Sequence, residues 1–267
     1  MAEIEVPAWV AELPRDLTEQ QFHELWLAQV DPEASPLAKA LQGGFCADQP
    51  GWIFVAGYQA AIAHTFPGQQ LADWSAFAVS EDRSAQDPLP GLTATQADND
   101  ITLSGYKTWI ATSRFARSLI VSYRQHDATC FHLFQLSCPG IIITHKDNPS
   151  LLPNVSQGVA QFAQVPLQRG LGLDATMVNQ FGSIEGFFVL VAMLACLRRF
   201  VNELNVTQQD LDELVQQAAA IQSAPEGEPL VQFKARCRDV LRQVRNSQLG
   251  QQAAWQRDGK LLAGYAR

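Results

Sequence analysis

The first part of the chain carries hydrophobic residues at helical spacing. Residues 17–30 (LTEQQFHELWLAQV) place apolar side chains at three- and four-residue steps, and Thr18 precedes them as a candidate N-cap. Residues 36–42 predict a short second helix, and residues 51–66 predict a third that is apolar on nearly every side. We therefore predict an N-terminal helical region over residues 1–70, with the third helix at the centre of its packing.

In the middle of the chain the pattern changes to short runs that are rich in β-branched and aromatic residues. Runs such as ITLSGYKTWI, SLIVSYR and CFHLFQL follow one another at roughly ten-residue spacing, separated by turn sequences such as QDPLPG and CPG. No helical segment lies between these runs, which favours an antiparallel barrel or sandwich over a parallel sheet with crossover helices. We predict an antiparallel β-barrel domain over residues 71–172.

The last part of the chain begins with a long apolar segment. Residues 174–204 predict a helix that is interrupted only by Gly182 and Gly186. Its longest apolar run, residues 187–197 (FFVLVAMLACL), is too short to span a bilayer. We interpret it as a buried helix and expect no membrane partner.

Two further helices are predicted towards the C-terminus. Residues 207–222 have Thr207 as N-cap and Asp210 at the matching capping-box position, and an amphipathic stretch follows from about Leu230. Residues 173–267 therefore form a C-terminal helical region. The fold class that results is α+β, with N-terminal helices, a central antiparallel β-barrel domain and a C-terminal helical bundle.

Composition and charge exclude several classes of function. The net charge is −8, whereas binding to nucleic acid requires a positive surface, so we expect no nucleic-acid partner. The first ten residues, MAEIEVPAWV, are acidic and lack the apolar core of a signal peptide. Five cysteines without a CxxC pair and five histidines without ligand spacing predict reduced thiols, a cytoplasmic location and no metal site.

Several motifs in the β-rich region occur together and in a fixed order. They are Ser80-Glu81-Asp82, then Ala85-Gln86-Asp87, then residues 104–111 (SGYKTWIA), and finally Phe162, Val165, Pro166 and Leu171-Gly172. Their order and spacing resemble the middle domain of the acyl-CoA dehydrogenase family, and spaced motifs are more specific than any single one. By this resemblance the chain is identified as a short, divergent member of that family, with a reduced form of its fold.

The resemblance implies an FAD-dependent oxidoreductase that forms an α,β double bond in an acyl-CoA thioester or a related substrate. In the family, FAD lies between the β domain and the C-terminal helices. Carried over position by position, the resemblance implies cofactor contacts at six residues and a substrate contact at one more. The cofactor residues are Phe77, Val79, Ser80, Trp109, Ala111 and Thr112, and the substrate residue is Gln86.

The chain departs from the family pattern at several of these positions. Ala111 stands where the family has a hydroxyl facing flavin N5, and Thr112 would replace it only if the turn shifts register. Gln86 stands in place of a serine, and Asp82 replaces the proline that stiffens the turn. These departures affect the ligand side of the turn and leave the strands intact.

The sequence assigns no catalytic base. The family's Tyr-Glu-Gly-Thr loop is absent, and the position that a minority of members use aligns near Thr176, which is no strong base. Glu226 lies in the loop PEGEP, whose composition favours a solvated turn. Glu185 lies in a very apolar segment and would have a raised pKa if buried. An ion pair of Glu185 with Arg198 or with a neighbouring chain is the favoured alternative.

A basic helical face near the C-terminus has two interpretations. Lys234, Arg238, Arg242 and Arg245 share one side of a helix. In one interpretation these side chains bind the pyrophosphate of FAD or CoA, as bidentate arginine side chains do. In the other interpretation, which we favour, they form a solvated face.

Three functions remain compatible with the sequence. The first is a flavoprotein that binds FAD and an acyl-CoA-type small molecule, as a homodimer. The second is a catalytically inactive subunit or binding module that pairs with a related dehydrogenase and lacks the base, with or without the flavin. The third is flavin-dependent oxygen chemistry on the same scaffold.

Overall fold

A computed structural model of the chain describes residues 6–67, 73–97, 100–178 and 180–267. The chain divides into two compact units, one of them made of two separate segments. The helical unit comprises Met1–Pro67 and Phe181–Arg267, and the β unit comprises Gly68–Gln180.

The helices lie almost entirely in the helical unit, and only α4 belongs to the β unit. Short 3-10 turns occur at Ala8–Glu12, Leu167–Arg169, Val201–Glu203 and Leu249–Gln251. The helices are α1 (Glu19–Gln29), α2 (Pro36–Cys46), α3 (Pro50–Thr65), α4 (Ala175–Val178), α5 (Phe181–Arg199), α6 (Gln208–Ile221), α7 (Gly227–Arg245) and α8 (Ala253–Tyr265).

The capping signals read from the sequence are confirmed. The Thr18 side chain accepts a hydrogen bond from the Gln21 backbone N–H, and the Gln21 side-chain oxygen accepts one from the Thr18 backbone N–H. Thr207 and Asp210 make the same reciprocal pair at the start of α6. Each pair satisfies two backbone N–H groups that have no partner within the helix, and so fixes where α1 and α6 begin.

Helix α5 is the centre of the helical unit. Every residue from Phe187 to Leu197 is fully buried. Glycines of two neighbouring helices allow close approach, since a Cβ on Gly57 of α3 would lie 2.3 Å from Val189 Cα, and one on Gly44 of α2 would lie 2.3 Å from the Ala192 oxygen. By length and composition α5 would cross a membrane, but 83% of its apolar window is buried inside the protein, as in a core helix.

The glycines within this segment do not interrupt the helix as the sequence suggested. Both Gly182 and Gly186 lie inside α5, and the break falls before it, after α4. Gly186 is buried, and a Cβ there would lie 3.2 Å from Tyr265 Cδ1. The missing side chain therefore leaves room for an aromatic ring of α8.

Among the residues that the structure describes, the β unit forms a sheet of eight strands in the order β6-β7-β3-β2-β4-β5-β8, with β1 paired to β4 beside this path. Its buried face forms a core of apolar side chains, among them Leu103, Leu119, Phe134 and Phe162. The strands are β1 (Ser75–Ala78), β2 (Thr93–Ala97), β3 (Asp100–Ala111), β4 (Ser118–Gln125), β5 (Ala128–Gln135), β6 (Ile141–His145), β7 (Gln157–Pro166) and β8 (Leu171–Leu173).

The prediction of an antiparallel barrel is wrong in two respects. Strands β6 and β8 end the sheet at opposite sides, so the sheet is not closed in the part of the chain that the structure describes. The pairing is mixed, because β1 and β2 both run parallel to β4. Alternation along a run shows that it is a strand with one buried face, but it does not show which distant strand it pairs with or in which direction.

The close contact between α3 and α5 leads to a stability prediction. We expect Gly57→Ala to lower the free energy of unfolding by about 1–3 kcal/mol, because the new methyl group would overlap the backbone of α5. Gly259→Ala is the control, since nothing lies within 4 Å of a Cβ there, and we expect it to raise stability by about 0.5–1 kcal/mol. Urea denaturation followed by circular dichroism measures both, and a Gly57→Ala protein as stable as the wild type would contradict the packing described.

Candidate functional site

The predicted cofactor residues of the first motif lie at the end of β1. Phe77 is half-buried within the strand, where it pairs with Ile120 of β4. Val79 and Ser80 follow the strand and are exposed. The sheet thus fixes the direction in which the chain leaves β1, while the next residues face solvent.

A backbone hydrogen bond connects this segment to the second motif. The Thr108 N–H donates to the Ser80 carbonyl oxygen at 2.9 Å, which places Ser80 beside the residue that precedes Trp109. Residues 79–80 and Trp109, which lie far apart in the sequence, are therefore close to one another in space. We call this place the β1–β3 junction.

A buried lysine lies beneath the junction. The Lys107 side chain is 1% exposed, and its Nζ donates to Glu81 Oε1 at 2.6 Å, to Ser122 Oγ at 2.9 Å and to the Val79 carbonyl oxygen at 3.4 Å. Three acceptors match the three N–H bonds of an ammonium group. Burial lowers the pKa of Lys107, and the hydrogen bond and charge of Glu81 oppose that effect.

The backbone of β3 is distorted next to this lysine. Trp109 has a φ of 60°, and the register between β3 and β7 shifts between Lys107 and Ile110. A bulge of this kind redirects a side chain out of the regular alternation, and a left-handed bulky residue costs of order 1–3 kcal/mol. Such local strain is common at functional sites, and here it falls on a predicted cofactor residue.

Neither Ala111 nor Thr112 supplies the hydroxyl that the family has near flavin N5. Ala111 is buried, and Thr112 is also fully buried with a φ of 56°. The Thr112 hydroxyl donates to the Ala111 carbonyl oxygen at 2.7 Å. The turn therefore uses this hydroxyl internally, and the substitution of Thr112 for the missing group is not realised.

Asp82 replaces the family's proline and holds the following loop in another way. Its carboxylate accepts the backbone N–H of Ser84 at 2.9 Å and that of Leu89 at 3.0 Å. The hydrogen bond from Leu89, followed by those from Ser84, lowers the pKa of Asp82. Gln86, the predicted substrate residue, lies exposed in this loop, and its carbonyl oxygen accepts the Ser84 hydroxyl at 3.3 Å.

The candidate base Glu185 lies in the helical unit and bonds to a tyrosine. Burial raises the pKa of Glu185 to about 7, and a hydrogen bond with Tyr265 acts against that rise. The expected ion pair with Arg198 is wrong, because Arg198 pairs with Asp212 at 2.6 Å. Thirteen residues along one helix separate Glu185 from Arg198, which is about 20 Å at 1.5 Å per residue.

The other candidates for the base are exposed. Glu226 occupies the N-cap position of α7 and faces solvent, in agreement with the solvated-turn interpretation. Thr176 is exposed as well, and both its N–H and its hydroxyl donate to Asp174 Oδ1 at 2.8 Å.

The basic face of α7 is partly used within the protein. Arg238 donates through Nε and Nη2 to the Ala266 carbonyl oxygen, at 3.1 and 2.7 Å, which satisfies an acceptor at the end of α8. Arg242 pairs with Asp239 at 2.6 Å, one turn away on the same helix. These contacts favour the structural interpretation over a phosphate-binding face.

No site for a metal ion is formed by three or more His, Cys, Asp or Glu side chains within residues 6–67, 73–97, 100–178 and 180–267. The cysteines that the structure describes are all free thiols, and three of them are buried. They are Cys46, Cys130, Cys138, Cys196 and Cys237.

Comparison with known proteins finds similarity at the level of structure. No protein-family model matches the chain, and no curated protein sequence matches it. The solved structure of FkbI, for biosynthesis of the methoxymalonyl extender unit of a polyketide immunosuppressant, has a TM-score of 0.60 at 17% identity, over 98% of this chain and 94% of FkbI. The chain has an acyl-CoA dehydrogenase-like fold.

Two further structures support this assignment of the fold. Butyryl-CoA dehydrogenase from Megasphaera elsdenii has a TM-score of 0.63 at 14% identity, over 99% of this chain and 89% of that enzyme. PigA with FAD and proline has a TM-score of 0.60 at 12% identity, over 97% and 88% of the two chains. At this identity the likeness shows the acyl-CoA dehydrogenase-like fold alone.

Within this acyl-CoA dehydrogenase-like fold, the pairing of Lys107 with Glu81 was not predicted from the sequence, although both residues lie in the quoted motifs. A signal was present, because Lys107 is an even number of residues from Leu103 and so faces the apolar side of β3. A lysine at such a position requires an acceptor. The sequence does not show that Glu81 and Ser122 provide it.

The Asp82 contacts predict how the loop responds to proteolysis. We expect Asp82→Ala to accelerate tryptic cleavage after Arg83 several-fold at neutral pH, because the loop loses the two hydrogen bonds that close it. The carboxylate holds the loop while it is ionised, so these hydrogen bonds persist at neutral pH and are lost as the pH falls through the lowered pKa of Asp82. Gln86→Ala is the control, since its side chain is exposed in the same loop, and equal cleavage of both variants would contradict the role of Asp82. Mass spectrometry of limited digests measures the rates.

Proposed function

We propose that this chain is an FAD-dependent oxidoreductase that dehydrogenates an acyl-CoA thioester or a related substrate. The β1–β3 junction carries the proposal, because it brings the exposed Val79 and Ser80 next to the strained Trp109. These are the positions at which the family resemblance implies flavin contacts. Two of the similar structures agree in kind, since one is a butyryl-CoA dehydrogenase and the other is PigA with FAD and proline.

The residues at the junction fit the pyrimidine side of a flavin ring. Ser80 offers an exposed hydroxyl beside exposed backbone, and the half-buried Trp109 offers an aromatic surface. At the N5 side the fit is incomplete, because Ala111 has no hydroxyl and that of Thr112 is bound internally. When bound, FAD supplies a hydride acceptor. The protein's own part is to bind the ring and to orient it.

We propose Glu185 as the general base that the helical unit contributes. A general base is most effective when its pKa lies near the working pH, and burial raises the pKa of Glu185 to about 7. Tyr265 fixes the orientation of the carboxyl group through their hydrogen bond. The carboxylate form accepts the proton, so activity depends on Glu185 being ionised.

One observation favours a second candidate function. Ala111 and Thr112 together leave the N5 side without the family's hydroxyl, as expected of a subunit that has kept the fold and lost the redox reaction. Such a chain would act as a binding module beside a related active dehydrogenase. Flavin binding and turnover by the isolated chain distinguish the two functions.

The first test is flavin binding. We expect the purified chain to show a flavin absorbance band or to acquire it on titration with FAD, and Ser80→Ala to weaken the affinity for FAD by about tenfold, because one hydrogen bond contributes about 0.5–1.5 kcal/mol. Ser223→Ala, in an exposed loop of the helical unit, is the matched control and should bind as the wild type does. A colourless protein whose addition leaves the FAD spectrum unchanged would contradict the proposal and support the binding module.

The second test concerns the base. We expect Glu185→Gln to retain FAD and to lose turnover of acyl-CoA with a dye acceptor by about 10²–10⁴-fold, the usual contribution of a general base. In the wild type kcat/KM should rise with pH through about 7, as the Glu185 carboxyl group loses its proton, and this rise should vanish in the variant. Glu226→Gln, which changes an exposed carboxylate, should leave the profile unchanged. Full activity of Glu185→Gln with an unaltered pH profile would rule out this role.

A further inference from the structure

Burial of the Lys107 ammonium group lowers the stability of the β unit, and the proposed chemistry does not use this group. Removing a charge from water is costly, and a partner offsets that cost only in part. An apolar side chain at position 107 would avoid the cost, which falls on the lysine because Glu81 is 41% exposed and stays partly hydrated. The pair therefore contributes something that apolar packing would not.

The three bonds of Lys107 show what this contribution is. Two of the three acceptors, the Val79 carbonyl oxygen and the Glu81 carboxylate, belong to the segment that directly follows β1. The third, Ser122 Oγ, lies on β4, the strand that pairs with β1. Lys107 itself is on β3. One ammonium group thus connects the irregular segment to two regular strands of the sheet.

A second feature of the fold accommodates Glu81. A Cβ on Gly91 would lie 2.7 Å from Glu81 Oε2, so an added side chain there would displace the carboxylate from its present position. Gly91 is held in place by its bridge to Tyr106, the neighbour of Lys107 on β3. The Glu81 carboxylate therefore lies between Gly91 on one side and Lys107 on the other.

We propose that Lys107 and Glu81 are positioning residues that fix the backbone of residues 79–81 in the geometry that receives the flavin. The inference rests on the proposed function for the identity of the ligand. The pair holds Val79 and Ser80 in register with Trp109, and the bond from Thr108 to the Ser80 carbonyl oxygen depends on it. An apolar pair in the same place would pack but would not hold this segment.

A double replacement separates positioning from stability. Glu81→Leu alone should lower Tm, because it leaves the buried Lys107 ammonium group without its counter-charge, and the double variant should recover most of that loss. Lys107→Met alone should lower Tm less, because the Glu81 side chain is 41% exposed and its carboxylate stays hydrated. We expect the double variant still to bind FAD at least tenfold more weakly than the wild type. Without FAD, its Thr108 amide should exchange with deuterium at least tenfold faster. The control removes the exposed ion pair Arg236–Glu213 of the helical unit by Arg236→Met and Glu213→Leu and should change neither readout.

Wild-type FAD affinity and wild-type Thr108 exchange in a stable double variant would overturn the proposal. If the double variant does not fold, Gly91→Ala provides the same test, because it displaces the Glu81 carboxylate without removing either charge. We expect weaker FAD binding and faster Thr108 exchange in that variant, and unchanged values would overturn the proposal. If the wild type takes up no FAD, the proposed function fails, and the exchange of the Thr108 amide without FAD still decides whether the pair positions the segment.

Discussion

The hydrogen bond from the Thr108 N–H to the Ser80 carbonyl oxygen joins the end of one strand to the middle of another, and the candidate site depends on this connection. Without it, the exposed residues after β1 would be a free loop with no fixed relation to Trp109. The buried ammonium group of Lys107 binds the same segment, through the Val79 carbonyl oxygen and the Glu81 carboxylate. Strand β1 pairs with β4, and β3 pairs with β7. This pairing fixes the two strands, and the hydrogen bonds from Thr108 and Lys107 fix the irregular segment relative to them.

Rigidity and strain occur side by side at this place. Trp109 and Thr112 adopt left-handed backbone conformations, which a β-branched residue such as Thr112 rarely does. Pairing of β3 with β7 at Lys107, before Trp109, and at Ile110 and Ala111, after it, holds the strand around these residues. The same strain has a consequence for chemistry, since the buried Thr112 hydroxyl is bound to the carbonyl oxygen of Ala111. The turn therefore places Trp109 at the β1–β3 junction and keeps the Thr112 hydroxyl in an internal hydrogen bond.

Local features of the fold were predictable from the sequence, and long-range ones were not. The capping pair of Thr207 and Asp210 and the apolar helix α3 depend on neighbouring residues, so pattern alone identified them. The mixed, open sheet was missed because the parallel pairing of β1 with β4 joins segments that share no local signal. Among the candidate residues, the motifs placed Ser80 and Trp109 together by resemblance. The partner of Glu185, by contrast, is Tyr265 near the other end of the helical segment, which periodicity does not indicate.

A crystal structure of the chain grown with FAD would show whether the β1–β3 junction receives the flavin ring. We expect density for the ring against Val79 and Ser80 and beside Trp109, with the Thr108 to Ser80 bond intact. A ring bound elsewhere, in contact with none of these three residues, would contradict this expectation.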